Sequence, residues 1–171
     1  GSRAEEGAID SFFIDEGFQI NYSTIGNAAP KSICGSGLID IAACFIEKEI
    51  ILNNGRFNTN LGEELRNRLK DKRFYITEDI YISTHQISPA LVLANVEKQS
   101  QHFQAEMSKI DGVRLDFEDG FGIIRASNTG EYFTVRFDAD SDQRLHQIRH
   151  NFVHMLTADY PQIAQDLLDA H

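Results

Sequence analysis

A polar loop between two strand-like runs decides the fold of the second half of this chain: Arg125-Ala126-Ser127-Asn128-Thr129-Gly130. The runs, Gly122 to Arg125 and Tyr132 to Asp138, carry β-branched and aromatic residues, which predicts paired strands. A guanidinium, two hydroxyls, a side-chain amide and a glycine are groups that bind a phosphate dianion at close range. The loop therefore predicts an anion site, although a hairpin turn rich in Ser, Asn and Gly with a solvated arginine has the same composition.

The residues that surround the loop follow an α+β pattern. A third predicted strand, Val113 to Phe117, is joined to the hairpin by Glu118-Asp119-Gly120. Ser141 is the predicted N-cap of a helix from Asp142 to about Ala158, and Pro161 starts a last helix to Leu168. We expect a small antiparallel sheet with two packed helices.

The stretch before these strands allows more than one assignment. Ala90 to Ala94 is predicted to be extended, although Ser88-Pro89 could equally open a helix. Asn95 is the predicted N-cap of a helix from Val96 to Lys109.

From about Tyr81 to its end, the chain resembles the C-terminal domain of bacterial phosphoglucomutase/phosphomannomutase enzymes, the alpha-D-phosphohexomutase superfamily. The likeness is carried by Asp111 to Phe117, Asp119 to Ile124, the loop itself and Val135 to Asp140. In that family the matching loop binds the phosphate of the sugar phosphate. The resemblance implies phosphate contacts from these residues: Arg125, Ser127, Asn128, Thr129 and Gly130. Many members have a bulkier residue and then proline where this chain has Gly130 and Glu131.

Two further arginines on the predicted strands have two interpretations. Arg114 and Arg136 could extend the phosphate site, or they could form salt bridges with Asp116 or Asp138.

The first half of the chain begins with a predicted hairpin and a glycine-rich turn. Ala8 to Asp15 and Phe18 to Ile25 are strand-like runs on either side of Glu16-Gly17. Gly35, Ser36 and Gly37 then lead into a helical pattern from Leu38 to Glu47. Such a turn can bind an anion with free N–H groups, but close packing of a helix on a sheet requires glycine as well.

Shorter elements are predicted after this helix. Glu63 to Lys70 has acidic residues early and basic residues late, which favours a short charged helix. Phe74 to Ile76 and Ile80 to Ile82 are short strand candidates.

Residues 5 to about 80 resemble part of the ASKHA domain, the actin and sugar-kinase-like ATPase fold, of reductive activators of corrinoid proteins. The likeness rests on these segments: Gly7 to Ile9, Tyr22 to Asn27, Ile33 to Asp40, Ile50-Ile51 and Gly55 to Phe57. It implies a β-hairpin plus helix fragment of an actin-like fold, with Gly35, Ser36 and Gly37 near a nucleotide cleft. The family's acidic-glycine phosphate motif and its iron-sulfur cysteines do not occur in this sequence.

The two resemblances suggest two domains, residues 4–80 and 81–171, after an expression scar at residues 1–3 that starts Gly1-Ser2. No long linker rich in Pro, Gly or Ser marks the junction. The sequence does not decide whether the halves are a natural or an assembled chain.

Composition limits the possible partners. The net charge of −10 argues against a nucleic acid or an anionic membrane. No apolar run approaches the roughly 20 residues of a membrane span. Two cysteines without further ligands indicate a reducing compartment, so we predict a cytoplasmic protein. His146, His150 and His154, four residues apart, are interpreted as a solvated helix face.

These observations predict a domain that binds a phosphosugar, free phosphate or sulfate and does not turn over substrate alone. The catalytic serine motif and the aspartate-rich magnesium loop of the mutase family do not occur in this sequence, so we assign no catalytic residue, cofactor or metal ligand. The parent mutase would use magnesium and further domains. The alternatives are a fragment of an ATP-dependent reductive activator of corrinoid proteins, and a chimeric or recombined chain with no activity.

Overall fold

The computed structural model describes residues 4–126 and 133–169 and has the predicted α+β class. The chain divides into two compact units, Gly1–Leu91 and Val92–His171. This division falls within a helix, whereas the predicted domain boundary near residue 80 stays a prediction. None of the helices within the described residues is both long enough and apolar enough to cross a membrane.

The described part of the first unit contains two small sheets, two complete helices and the start of a third. Its elements are β1 (Ala8–Ile14), β2 (Ile20–Thr24), a 3-10 turn (Ile25–Asn27), β3 (Ser32–Ile33), α1 (Gly35–Glu47), α2 (Glu63–Arg66), β4 (Leu69–Lys70), β5 (Arg73–Tyr75) and β6 (Tyr81–Ser83). The strand orders are β2-β1-β3 and β4-β5-β6. The helix α3 (Thr84–Ser100) follows and contains the division between the units.

The predicted N-terminal hairpin is confirmed. β1 pairs antiparallel with β2, with Phe12 opposite Tyr22. In the turn, the Asp15 carboxylate accepts a 2.9 Å hydrogen bond from the backbone N–H of Gln19. Chiefly because of this hydrogen bond, the pKa of Asp15 lies below its usual value of 3.8.

Aromatic rings form the centre of the first unit's core. The fully buried Phe45 of α1 makes edge contacts with Phe12, Phe57 and Phe74, at ring-centroid distances of 6.2, 6.4 and 4.7 Å. One side chain therefore joins the hairpin to the second sheet, and such aromatic pairs stabilise a core beyond the area that they bury.

The predicted helix from Glu63 to Lys70 is too long. It ends at Arg66, and Leu69–Lys70 forms a strand that pairs with β5. Arg68 explains the change, because its guanidinium donates to the carbonyls of Tyr75 and Ile76 at 3.2 and 3.0 Å. These bonds join the segment to the sheet instead of extending the helix.

Of the two assignments for Ala90 to Ala94, the extended one is wrong and the helical one is correct, because these residues lie within α3. Ser83 and Gln86 form a capping box at its start: the Ser83 N–H donates to Gln86 Oε1 at 3.0 Å and the Gln86 N–H to Ser83 Oγ at 3.3 Å. Pro89 lies inside the helix and removes one backbone donor without ending it.

The predicted helix from Val96 to Lys109 is correct only as far as Ser100. α3 ends at Ser100, and Glu106–Ser108 forms a strand. Asn95 is not an N-cap but lies within α3, where its side-chain amide donates to the Met155 carbonyl at 3.1 Å. This hydrogen bond therefore links the C-terminal part of α3 to the helix that contains Met155.

The second unit confirms the predicted sheet and both C-terminal helices. Its elements are β7 (Glu106–Ser108), β8 (Val113–Phe117), β9 (Gly120–Ala126), β10 (Phe133–Ala139), α4 (Asp142–Thr157) and α5 (Pro161–Asp169). The four strands are antiparallel in the order β10-β9-β8-β7. Ser141 caps α4 as predicted, since its Oγ accepts from the Arg144 N–H at 3.1 Å.

α4 covers one face of this sheet. Phe152 of α4 lies against Phe137 of β10, with ring centroids 5.3 Å apart. A Cβ at position 122 would collide with the Phe152 ring, so Gly122 makes the close approach of helix and sheet possible. The buried side chains of α4 are Ile148, Phe152, Val153, Met155 and Leu156.

Candidate functional site

Arg125 lies near the C-terminal end of β9, directly opposite Thr134 of β10. Its Nε donates to Thr134 Oγ1 at 3.2 Å, and its Nη1 donates to Asp111 Oδ2 at 2.7 Å. The side chains of Arg125 and Asp111 are 51% and 70% exposed. The guanidinium is thus oriented by two contacts and remains accessible to a ligand.

A glycine brings Asp111 to this arginine. Gly112 has a φ of 93°, and a Cβ at this position would collide with the Ile124 carbonyl oxygen and with Arg125. Only a residue without a side chain fits this backbone and lets the start of β8 lie so close to β9. Sequence reasoning included Asp111 in the motif but did not identify it as the partner of Arg125.

The other predicted phosphate-binding residues, Ser127, Asn128, Thr129 and Gly130, lie outside the described residues. Their role stays a prediction. The last described pair of the hairpin is Ala126 with Phe133, next to the pair of Arg125 with Thr134.

Arg114 forms the salt bridge that was one of its two predicted interpretations. Its Nε and Nη2 donate to both oxygens of Asp116 at 3.0 to 3.1 Å. These hydrogen bonds raise the pKa of Arg114. Its guanidinium carbon also lies 4.0 Å from the centre of the Phe121 ring. Arg114 is therefore engaged by an acid and an aromatic ring of its own sheet.

The glycine-rich turn before α1 has a clear packing role. A Cβ on Gly37 would collide with the Ile9 carbonyl oxygen, so this glycine allows α1 to cross β1 closely. The Ser36 hydroxyl donates to the Asp10 carbonyl at 3.2 Å. A Cβ on Gly35 would meet no atom within 4 Å. The nucleotide contact of Gly35, Ser36 and Gly37 stays a prediction.

No group of three or more metal-ligating side chains gathers within the part of the chain that the structure describes. On α4 the exposed rings of His146 and His150 lie 4.3 Å apart between centroids. Cys34 and Cys44 are buried free thiols, and burial raises the pKa of Cys44.

A concavity of about 810 Å³ lies at the opposite end of β9 from Arg125. It is lined in part by Phe117, Asp119 and Arg144, and Arg144 Nε pairs with Asp119 Oδ1 at 2.7 Å. Arg125 does not line this concavity, so a ligand bound to Arg125 would lie outside it.

Two family models match the chain, and they confirm both resemblances. The model described as "C-terminal domain of RACo the ASKHA domain" matches residues 1–114. The model described as "Phosphoglucomutase/phosphomannomutase, C-terminal domain" matches residues 86–155, which include Arg125 and the loop. The two matches overlap over residues 86–114.

Curated relatives come from the same two groups. A phosphomannomutase/phosphoglucomutase of Pseudomonas syringae pv. tomato is 33% identical over 91 residues, which are 53% of this chain and 19% of the relative. The corrinoid activation enzyme RamQ of Eubacterium limosum is 34% identical over 79 residues, which are 46% of this chain and 13% of the relative. The chain thus spans less than a fifth of these relatives.

Among solved structures, a reductive activator for a corrinoid, iron-sulfur protein is similar with a TM-score of 0.48 and 28% sequence identity. The similarity covers 60% of this chain and 18% of that structure.

Proposed function

The chain belongs to the family of the C-terminal ASKHA domain of RACo, and because its second unit also matches the phosphoglucomutase/phosphomannomutase C-terminal domain, we propose that this unit binds the phosphate group of a sugar phosphate. It binds without catalysing a reaction by itself. The observation that carries the proposal is the guanidinium of Arg125, which is exposed, is oriented by Thr134 and Asp111, and lies close in sequence to Ser-Asn-Thr-Gly.

The contacts of Arg125 suit an exchangeable anion site. Thr134 Oγ1 accepts a hydrogen bond from Nε of Arg125. Because threonine is neutral, it does not compete with an anionic ligand for the positive charge of the guanidinium. The ion pair with Asp111 is a surface pair, and such pairs stabilise a protein by only about 0 to 1 kcal/mol. A phosphate dianion, which carries more charge and three acceptor oxygens, can therefore replace the Asp111 carboxylate on Nη1.

The exposed position of Arg125 and its distance from the concavity favour weak binding. We expect a dissociation constant in the millimolar range, which corresponds to about −4 kcal/mol. In a complete mutase, this kind of contact holds the non-reacting end of the substrate and so orients the reacting end. The second unit acts as such a clamp, and the nucleophile and metal come from domains of a parent enzyme.

Glucose 1-phosphate is the ligand for the first test, and Arg125→Ala is the variant. We expect wild-type chain to bind and Arg125→Ala to bind at least about tenfold more weakly, since a charge-assisted, two-pronged contact is lost. Arg66→Ala is the matched control, because Arg66 is an exposed arginine at the end of α2 in the other unit. Equal affinities for the Arg125 and Arg66 variants would contradict the proposal.

The family match over residues 1–114 favours a second candidate, a nucleotide-binding fragment of an ATP-dependent activator of corrinoid proteins. In this candidate the backbone N–H groups of Gly35 and Ser36 contact the nucleotide phosphates. Titration of the chain with magnesium-ATP tests it, and amide shifts centred on these residues support it. An absence of response to both ligands leaves the third alternative, a recombined chain without activity.

A cytoplasmic location is part of the proposal. Cys34 and Cys44 are both free and buried, which suits a reducing compartment where sugar phosphates also occur.

A further inference from the structure

The sheet face opposite α4 carries side chains in two rows across the strands. The first row is Ser108, Arg114, Ile123 and Arg136. The second row is Glu106, Asp116, Phe121 and Asp138. Arg125 and Thr134 form the next pair on the same side, because side chains on one face recur every second residue. Arg136 is therefore a diagonal neighbour of Arg125.

Arg114, Arg125 and Arg136 on this face differ in the groups that contact their guanidinium. Arg114 makes a two-pronged pair with Asp116, and Arg125 pairs with Asp111. Arg136 is exposed, and its guanidinium carbon lies 5.7 Å from the centre of the Phe121 ring. Among residues 4–126 and 133–169 no carboxylate forms an ion pair with Arg136. Within these residues Arg136 is thus not held by an acid, whereas Arg114 is.

We propose that Arg136 is a second phosphate-binding residue and contacts the same sugar phosphate as Arg125. This inference rests on the proposed function. Diagonal neighbours on paired strands lie roughly 7 to 8 Å apart, a gap that two extended arginine side chains can close around one phosphate group. Two guanidinium groups also match the charge of a phosphate dianion.

Phe121 contacts both Arg114 and Arg136, but not equally closely. The ring has Arg114 close at 4.0 Å and Arg136 more loosely at 5.7 Å. The shorter contact holds Arg114 against the ring, and the longer one lets Arg136 move towards an anion at Arg125. We therefore assign Arg136, and not Arg114, to the ligand.

The test compares glucose 1-phosphate with inorganic phosphate, each titrated into the full chain and followed by amide NMR. The variants are Arg136→Gln, Arg136→Lys, which keeps the charge, and Arg66→Gln, which makes the same charge change on α2. We expect Arg136→Gln to weaken the binding of both ligands about tenfold, Arg136→Lys to weaken it less, and Arg66→Gln to leave it unchanged. A weaker binding of glucose 1-phosphate alone assigns Arg136 to the sugar end and contradicts the shared phosphate contact.

The outcomes distinguish a failure of the proposed function from a failure of the role of Arg136 alone. Wild-type chain that binds neither ligand contradicts both the proposed function and the role of Arg136. Wild-type binding that is lost in Arg125→Ala but unchanged in Arg136→Gln contradicts the role of Arg136 alone. The NMR spectrum of each variant shows whether it is folded. If Arg136→Gln does not fold, the ligand affinity of Arg136→Lys is compared with that of the wild-type chain instead.

Discussion

Arg125 and Asp111, fourteen residues apart in the chain, form a 2.7 Å ion pair between Nη1 and Oδ2. The pair places a carboxylate at the one guanidinium on which the proposed function depends. Asp111 therefore orients Arg125 in the free protein and competes with an anionic ligand in the bound one.

Asp111→Asn is expected to strengthen phosphate binding. The change removes a negative charge beside the site and leaves Thr134 to orient the guanidinium. Because a surface ion pair contributes about 0 to 1 kcal/mol, the gain is up to about fivefold in the dissociation constant for inorganic phosphate. Amide NMR titration measures it. Weaker binding by this variant would mean that Asp111 is needed to position Arg125.

Gly112→Ala is expected to destabilise the second unit. The φ of 93° strains any residue with a side chain, and the new Cβ would also collide with the Ile124 carbonyl. We expect a loss of roughly 2 to 3 kcal/mol in urea denaturation. Gly55→Ala is the matched control, since Gly55 has a φ of 80° with no atom near its Cβ position. This control carries the strain alone, so equal losses in the two variants would contradict the collision.

The hairpin turn of the first unit is expected to weaken in acid. The N–H of Gln19 lowers the pKa of Asp15 below 3.8 in the folded state. A lowered folded pKa contributes stability that is present above the unfolded pKa and is lost as the pH falls through the folded pKa. Stability of the first unit should therefore decrease below about pH 4. Asp15→Asn should flatten this part of the pH profile of urea denaturation, and an unchanged profile would show that other carboxylates cause it.

How much of the fold the sequence predicts depends on how local each signal is. Ser141 before Asp142, and the alternating strands from Val113 to Asp138, are local patterns, and these elements were predicted correctly. α3 was predicted only as one of two alternatives because its apolar residues do not form a stripe: seven of them are buried, Ile87, Ala90, Leu91, Val92, Leu93, Ala94 and Val96. A short apolar run of this kind is typical of a strand as well as of a buried helix. The Ser83 to Gln86 capping box was the signal that could have decided it.

In the candidate site, too, local features were predictable from the sequence and contacts between distant residues were not. Arg125 was predicted as a site residue from the loop motif, whereas its contact with Thr134 depends on the register that pairs β9 with β10. The contact with Asp111 was not predictable, because it depends on how β8 pairs with β9 and on the backbone of Gly112. The choice between ligand and salt bridge for Arg114 also needed the distance to Asp116.

The central claim is that the exposed guanidinium of Arg125 belongs to a phosphate site, and an amide NMR titration of the isotope-labelled chain with glucose 1-phosphate tests it most directly. The account predicts saturable shifts at millimolar ligand that centre on residues 125 to 130 and extend to Thr134 and Arg136. Shifts that are absent up to high ligand concentration, or that centre on the concavity around Arg144 instead, would contradict it.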